Sequence, residues 1–233
     1  MAVWAGAVAV AQTADTAGPN ATYALKIRGV TVGVIYLTSA LEARRYAISG
    51  VIESTGLARA IRRFAYRGAA RGTVRDGQLW PERYQETADT GRRNSEAVIQ
   101  YTGGVPQLMV YNSPKEAGPD SPDPATQGGT IDPLTAIFSL LRDVPRARAC
   151  ALDVAIFDGK RRSRISMRPL AVEDGLPTCE GSYERLQGFT AKEVARHTKF
   201  DFVLTYADAG SGMLSVQRVA FASSYGTASI DRR

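Results

Sequence analysis

Histidine, cysteine and lysine are scarce in this chain. His197 is the single histidine, and Cys150 and Cys179 are the two cysteines. That inventory excludes a structural zinc site built from Cys and His alone. His197 sits in the basic, polar stretch 195–199, which suits a solvated loop better than the base of a Ser-His-Asp or Cys-His machine. There is no Gly-x-Ser-x-Gly elbow, Walker loop or dinucleotide fingerprint. Acidic residues are plentiful, yet no spacing singles out a pair. The expectation is therefore no catalytic residue, no metal and no cofactor. Nor does any apolar run approach the roughly 20 residues needed to span a bilayer, so no transmembrane segment is expected.

Lysine occurs only at 26, 115, 160, 192 and 199, and arginine carries the basic excess. Lys and Arg number 29 against 23 Asp and Glu, a net charge of +6. Such a balance attracts acidic polymers, anionic lipid or nucleic acid. The remaining composition is ordinary for a globular protein, and 233 residues suit one all-β domain.

Residues 1–11 are small, apolar and uncharged, and end in Ala9-Val10-Ala11. An apolar core followed by small-x-small is the end of a secretory signal. The competing reading is an unstructured Ala-rich terminus. Export to the periplasm is the expectation, with 12–20 as a flexible lead. It argues against nucleic acid as a partner. It also turns two cysteines into one expected disulfide, Cys150–Cys179. Closing that loop would stabilise by roughly 3–4 kcal/mol in the chain-entropy model.

From residue 21 the chain alternates. Tyr23, Leu25 and Ile27 share one side, and Thr22, Lys26 and Arg28 the other. Segments 46–52, 97–101, 107–111, 152–157, 200–206 and 214–221 are rich in β-branched and aromatic residues. Asp76-Gly77, Gly103-Gly104, Asp158-Gly159 and Asp174-Gly175 read as hairpin turns, because a type I′ turn needs positive φ. Around ten strands with short connections imply a mainly antiparallel sheet. One segment differs. Asp132 is a good N-cap, Pro133 suits the first helical position, and Leu134, Ile137, Phe138 and Leu141 form an apolar stripe. A helix over 132–143 is predicted, lying on the concave face of a curved sheet. A shorter helical turn is expected over 56–62. The Pro- and Gly-rich stretch 112–130 reads as a surface excursion without regular structure, and 226–233 as a tail. One β domain over 21–225 results.

Arg63, Arg67, Arg71 and Arg75 recur every fourth residue, with Gly68 and Gly72 arguing against a helix. As a strand, every one of them faces the same side. That side is either a solvated face that resists edge pairing or a grip for an anionic surface. Arg162, Arg164 and Arg168, after the Asp158-Gly159 turn, pose the same choice. The cysteines add a constraint. In a flat meander of 150–157, 161–172 and 177–187 they would lie roughly 9.6 Å apart. A disulfide needs Cα atoms within about 7 Å, so a bond requires one strand to peel away or the sheet to coil.

Several segments, in order, resemble a known family. They are 55–57 (Thr-Gly-Leu), 76–84 (Asp-Gly-Gln-Leu-Trp-Pro-Glu-Arg-Tyr), 132–136 (Asp-Pro-Leu-Thr-Ala) and 157–162 (Phe-Asp-Gly-Lys-Arg-Arg). Together they are similar to the exported bacterial family called domain of unknown function 3108. The family brings no established activity. More loosely, the pattern resembles periplasmic β-spiral proteins of envelope integrity, which carry a disulfide between late strands, and half-barrel lipoprotein carriers. The implied fold is a single curved antiparallel sheet, half-barrel or β-spiral, with one amphipathic helix in its concavity. The implied role is a non-enzymatic envelope maintenance or scaffold protein. Its partner would be an envelope protein, an anionic polymer or lipid, with peripheral membrane contact. A carrier of a lipid or acyl ligand, touching Leu134, Ile137, Phe138 and Leu141, is the alternative. A carboxylate-based hydrolase ranks third.

Overall fold

The computed structural model describes residues 21–61, 63–91, 94–112 and 120–233. The expected signal, residues 1–11, and the lead, 12–20, lie outside the described residues, as do 113–119 of the Pro/Gly-rich stretch.

Alternation produces long strands. The first half of the chain forms β1 (Ala21–Ile27), β2 (Val30–Glu42), β3 (Arg45–Ser54), β4 (Ala65–Arg75), β5 (Gln78–Asp89), β6 (Asn94–Thr102) and β7 (Val105–Asn112). The second half forms the two-residue β8 (Val144–Pro145), then β9 (Asp153–Phe157), β10 (Arg162–Glu173), β11 (Leu176–Gln187), β12 (Lys199–Gly210), β13 (Met213–Ser223) and β14 (Gly226–Arg232). Among the described residues three short α-helices interrupt them: α1 (Gly56–Ile61), α2 (Pro133–Leu141) and α3 (Ala191–Arg196).

All strands join one antiparallel sheet in the order β7-β6-β5-β4-β3-β2-β1-β14-β13-β12-β11-β10-β9, with β8 paired to β13. The predicted hairpin turns at 76–77, 103–104 and 174–175 have both residues at positive φ. Asp158-Gly159 differs: the Asp158 carboxylate accepts from the backbone N–H of Lys160 and of Arg161, which makes a wider turn.

The sheet curls until its two end strands approach. Tyr111 and Leu108 of β7 pack against the β9–β10 turn, where a Cβ on Gly159 would sit 2.6 Å from the Tyr111 ring. Lys160 Nζ lies 5.7 Å from that ring's centre. Below this contact the seam is filled by chain expected to be an unstructured excursion. Residues 120–130 instead carry a tight turn, Pro124–Thr126, capped by the Asp123 carboxylate. Gln127 and Thr130 are buried, and the Gly129 N–H reaches the Gly104 carbonyl at 3.0 Å. Ile131 then bridges the edge of β9, donating to Ala155 and accepting from Phe157. Edge backbone groups need partners, and this segment supplies them.

Inside the curl lies α2. Asp132 caps it, its Oδ1 accepting from the Thr135 N–H at 2.8 Å, and Pro133 opens the first turn. Leu134, Phe138 and Leu141 are buried in the core, and Ile137 is half-buried against it. Gly50 permits the close approach, since a Cβ there would lie 2.6 Å from Leu134 Cδ1. At the far end the Tyr23 hydroxyl donates to the Leu141 carbonyl at 2.7 Å, satisfying one orphan acceptor of the helix.

The second half departs from the expected layout at two places. Residues 226–233 are no tail: β14 pairs with both β13 and β1. Cys150 also stands outside any strand, with φ of 61°. After β8 the chain crosses over the sheet to Cys150, where it is bonded to Cys179 of β11 with Cα atoms 5.4 Å apart. The peeling-away that bonding requires is made by this crossing segment, before β9 begins.

Candidate functional site

The outer face of β4 carries the arginine row. Arg67, Arg71 and Arg75 point to solvent, while Tyr66, Ala70 and Gly72 face inward. Arg63 precedes the strand and lies 3.9 Å from Asp89. The neighbouring strand adds a cation that spacing did not reveal. A bulge leaves Glu82 unpaired, so that Gly72 faces Pro81 while Arg71 faces Arg83 across the β4–β5 ladder. Gly72 is needed there, because a Cβ would lie 2.0 Å from the Trp80 carbonyl. Like charges directly opposite are unfavourable. Among the described residues, no carboxylate pairs with Arg67, Arg71, Arg75 or Arg83. Arg75 lies 5.8 Å from the Trp80 ring centre. Together Arg71, Arg75, Trp80, Arg83, Gln100 and Glu82 border a cleft of about 620 Å³.

The second basic row is different in kind. Arg162 donates to Gln127 Oε1 at 3.0 Å, Arg164 forms a two-pronged pair with Asp153, and Arg168 meets Glu180 at 2.8 Å. Seven strands separate β4 from β10 in the sheet order, and four (β5, β6, β7 and β9) lie between them across the closing seam, so the two rows are not neighbours.

The stripe of α2 packs against the sheet, and none of Leu134, Ile137, Phe138 and Leu141 lines a described cavity. A cavity of about 460 Å³ lies instead beyond the C-terminal end of α2, against the 76–77 turn and the crossing segment. Arg142 and Arg148 border it.

The interior holds a polar cluster. Asp132, fully buried, accepts from both the N–H and the hydroxyl of Thr135, whose oxygen lies 3.0 Å from the Tyr46 hydroxyl. Burial pushes the Asp132 carboxyl up to about 6, against the lowering effect of these hydrogen bonds. Tyr66 and Tyr84 share a hydrogen bond of 3.1 Å, and Tyr84 donates to Glu86, whose carboxyl is also raised by burial. Among the described residues no group of three His, Cys, Asp or Glu side chains could hold a metal ion. His197 ends α3, exposed, edge-on to Phe200 at 5.6 Å. The helix itself was missed in the sequence, although Thr190 and Glu193 spell its capping box.

One solved structure that this chain resembles is a beta-barrel-like protein of domain of unknown function DUF1849 from Brucella abortus. The two are 11% identical, with a TM-score of 0.44 over 92% of this chain and 94% of that one. No match was found among curated proteins. The motifs at 55–57, 76–84, 132–136 and 157–162 all fall within the 22–194 matched by the family model "Protein of unknown function (DUF3108)", and the chain belongs to that family.

Proposed function

We propose that this is a non-enzymatic, periplasmic envelope protein whose barrel-like body is a rigid scaffold. Its outer β4–β5 face grips an anionic envelope polymer. The observation that carries this reading is the Arg71–Arg83 pair, set directly opposite across the ladder beside Arg75 and Trp80. An isolated sheet gains nothing from juxtaposed like charges, whereas a repeating anion satisfies both. The paired arginines of β10 offer no such vacancy. A disulfide fits an oxidising compartment, and no helix among the described residues is long and apolar enough to cross a membrane. The packing of α2 into the concavity supports a scaffold.

The test compares two variants of equal charge. Arg71→Gln/Arg83→Gln is set beside Arg164→Gln/Arg168→Gln in binding to immobilised dextran sulfate. The first should weaken binding about tenfold and flatten its salt dependence, while the second changes it little. Equal losses would reduce the effect to net charge and sink the reading.

A further inference from the structure

We infer that the cavity beyond α2 binds an aliphatic anion, a hydrocarbon chain ending in a carboxylate or phosphate. The inference is independent of the outer-face reading and concerns a different part of the molecule.

At about 460 Å³ the cavity falls within the range of small-molecule sites, about 300–1,000 Å³. Its walls include Leu79, Leu152, Val154, Met167 and Met213, contributed by β5, the crossing segment, β9, β10 and β13. Leu41, half exposed at the β2–β3 turn, extends the apolar surface at the rim. These are the walls a hydrocarbon chain would meet, and burying it there follows the ordinary area rule.

Charge supplies the head-group preference. Arg142, at the end of α2, donates through Nη2 to the Gly77 carbonyl at 2.7 Å. Its Nε is buried and has no acceptor. The Arg148 guanidinium lies over the same turn, since a Cβ on Gly77 would sit 2.5 Å from its Nη1. Burial and the Arg148 charge both lower the Arg142 pKa. Neither arginine pairs with a carboxylate among the described residues. The two acidic residues that border the cavity are already engaged, Asp143 with Arg232 at 2.6 Å and Asp153 with Arg164. Two guanidinium groups therefore border a cavity of mixed apolar and polar lining, and one of them carries an unmet donor. A carboxylate or phosphate supplies the missing acceptor and cancels the repulsion, and charge-assisted hydrogen bonds of this type are the strong ones.

Calorimetric titration of the full chain tests this with dodecanoate and dodecyl phosphate, against dodecyltrimethylammonium as a chain of the same length and opposite charge. Both anions should bind saturably, one per chain, and the cation at least about tenfold more weakly. The ratio of the two anions tells which head group the site prefers. Arg148→Gln leaves the Arg142–Gly77 contact intact and should weaken anion binding by about tenfold. Ala151→Trp places bulk in the cavity from an exposed wall position and should abolish it. Arg71→Gln/Arg83→Gln should leave it unchanged, which separates this site from the outer face. Absence of saturable anion binding overturns the inference. So does equal affinity for the cation, or anion binding indifferent to both Arg148→Gln and Ala151→Trp.

Discussion

Asp132 shows how one residue type can serve local structure and carry a cost at the same time. Its carboxylate caps α2, yet it is fully buried and no cation lies among the causes of its shift. The ionised form is therefore disfavoured in the folded state. With a folded value of about 6 against 3.8 for the free side chain, the folded protein binds this proton more tightly than the unfolded chain. Stability from this group is thus fully present below the unfolded value and is lost as pH rises through the folded one. The difference corresponds to about 3 kcal/mol at most. Asp132→Asn keeps a capping oxygen and cannot ionise. Denaturant unfolding of the two proteins should show the variant gaining on wild type between about pH 4 and 7, the range spanned by the unfolded and folded values. Parallel curves across that range would mean the carboxyl titrates normally. The cap was readable from Asp132-Pro133. The burial was not, because it depends on Tyr46 and Tyr101 arriving from distant strands. Arg83 teaches the same lesson: the β4 row is visible as alternation, whereas its partner across the ladder depends on a bulge at Glu82.

At the scale of elements, α2 is the piece on which the interior depends. The inward side chains of the strands could not fill the curled sheet by themselves where β3 carries Gly50 and β4 carries Ala70 and Gly72. The helix supplies the missing volume, with Leu134 seated against Gly50. Leu134→Ala should cost about 2–5 kcal/mol, read as a fall in the denaturant midpoint at unchanged slope. Full stability in that variant would make α2 a peripheral lid. The helix was legible because its cap, proline and apolar stripe are contiguous in sequence. The cavity beside it was not. Arg142 and Arg148 meet only because the chain crosses from β8 to Cys150, and that path is anchored to β11 by the disulfide. Cysteine spacing reveals that some segment must leave the sheet, without saying which.

Across the whole molecule, the order of strands sets how the parts depend on one another. The chain lays down β1 to β7 outward from one side of β1, then returns through α2 and builds β9 to β14 back toward it. The two halves meet in the β1–β14 ladder, from Tyr23 opposite Arg232 to Ile27 opposite Ala228. Asp231 fixes the register, pairing with Lys26 at 3.0 Å and with Arg218 of β13 at 3.5 Å. Closing this ladder joins residues at opposite ends of the described chain, so its loop-closure entropy is met late in folding. The segment Gly226–Arg232 alternates weakly, with Ala228 and Ile230 as its apolar members, which is why it reads as a tail. Its importance comes from position, since removing it exposes the unpaired edges of both β1 and β13. Deletion of 226–233 should therefore abolish the cooperative thermal transition and promote self-association, followed by circular dichroism and sedimentation velocity. A monomer with the full-length melting profile would show that the two halves hold together through α2 and the 120–131 seam alone. The ladder would then be an ornament of the fold and not its closing step.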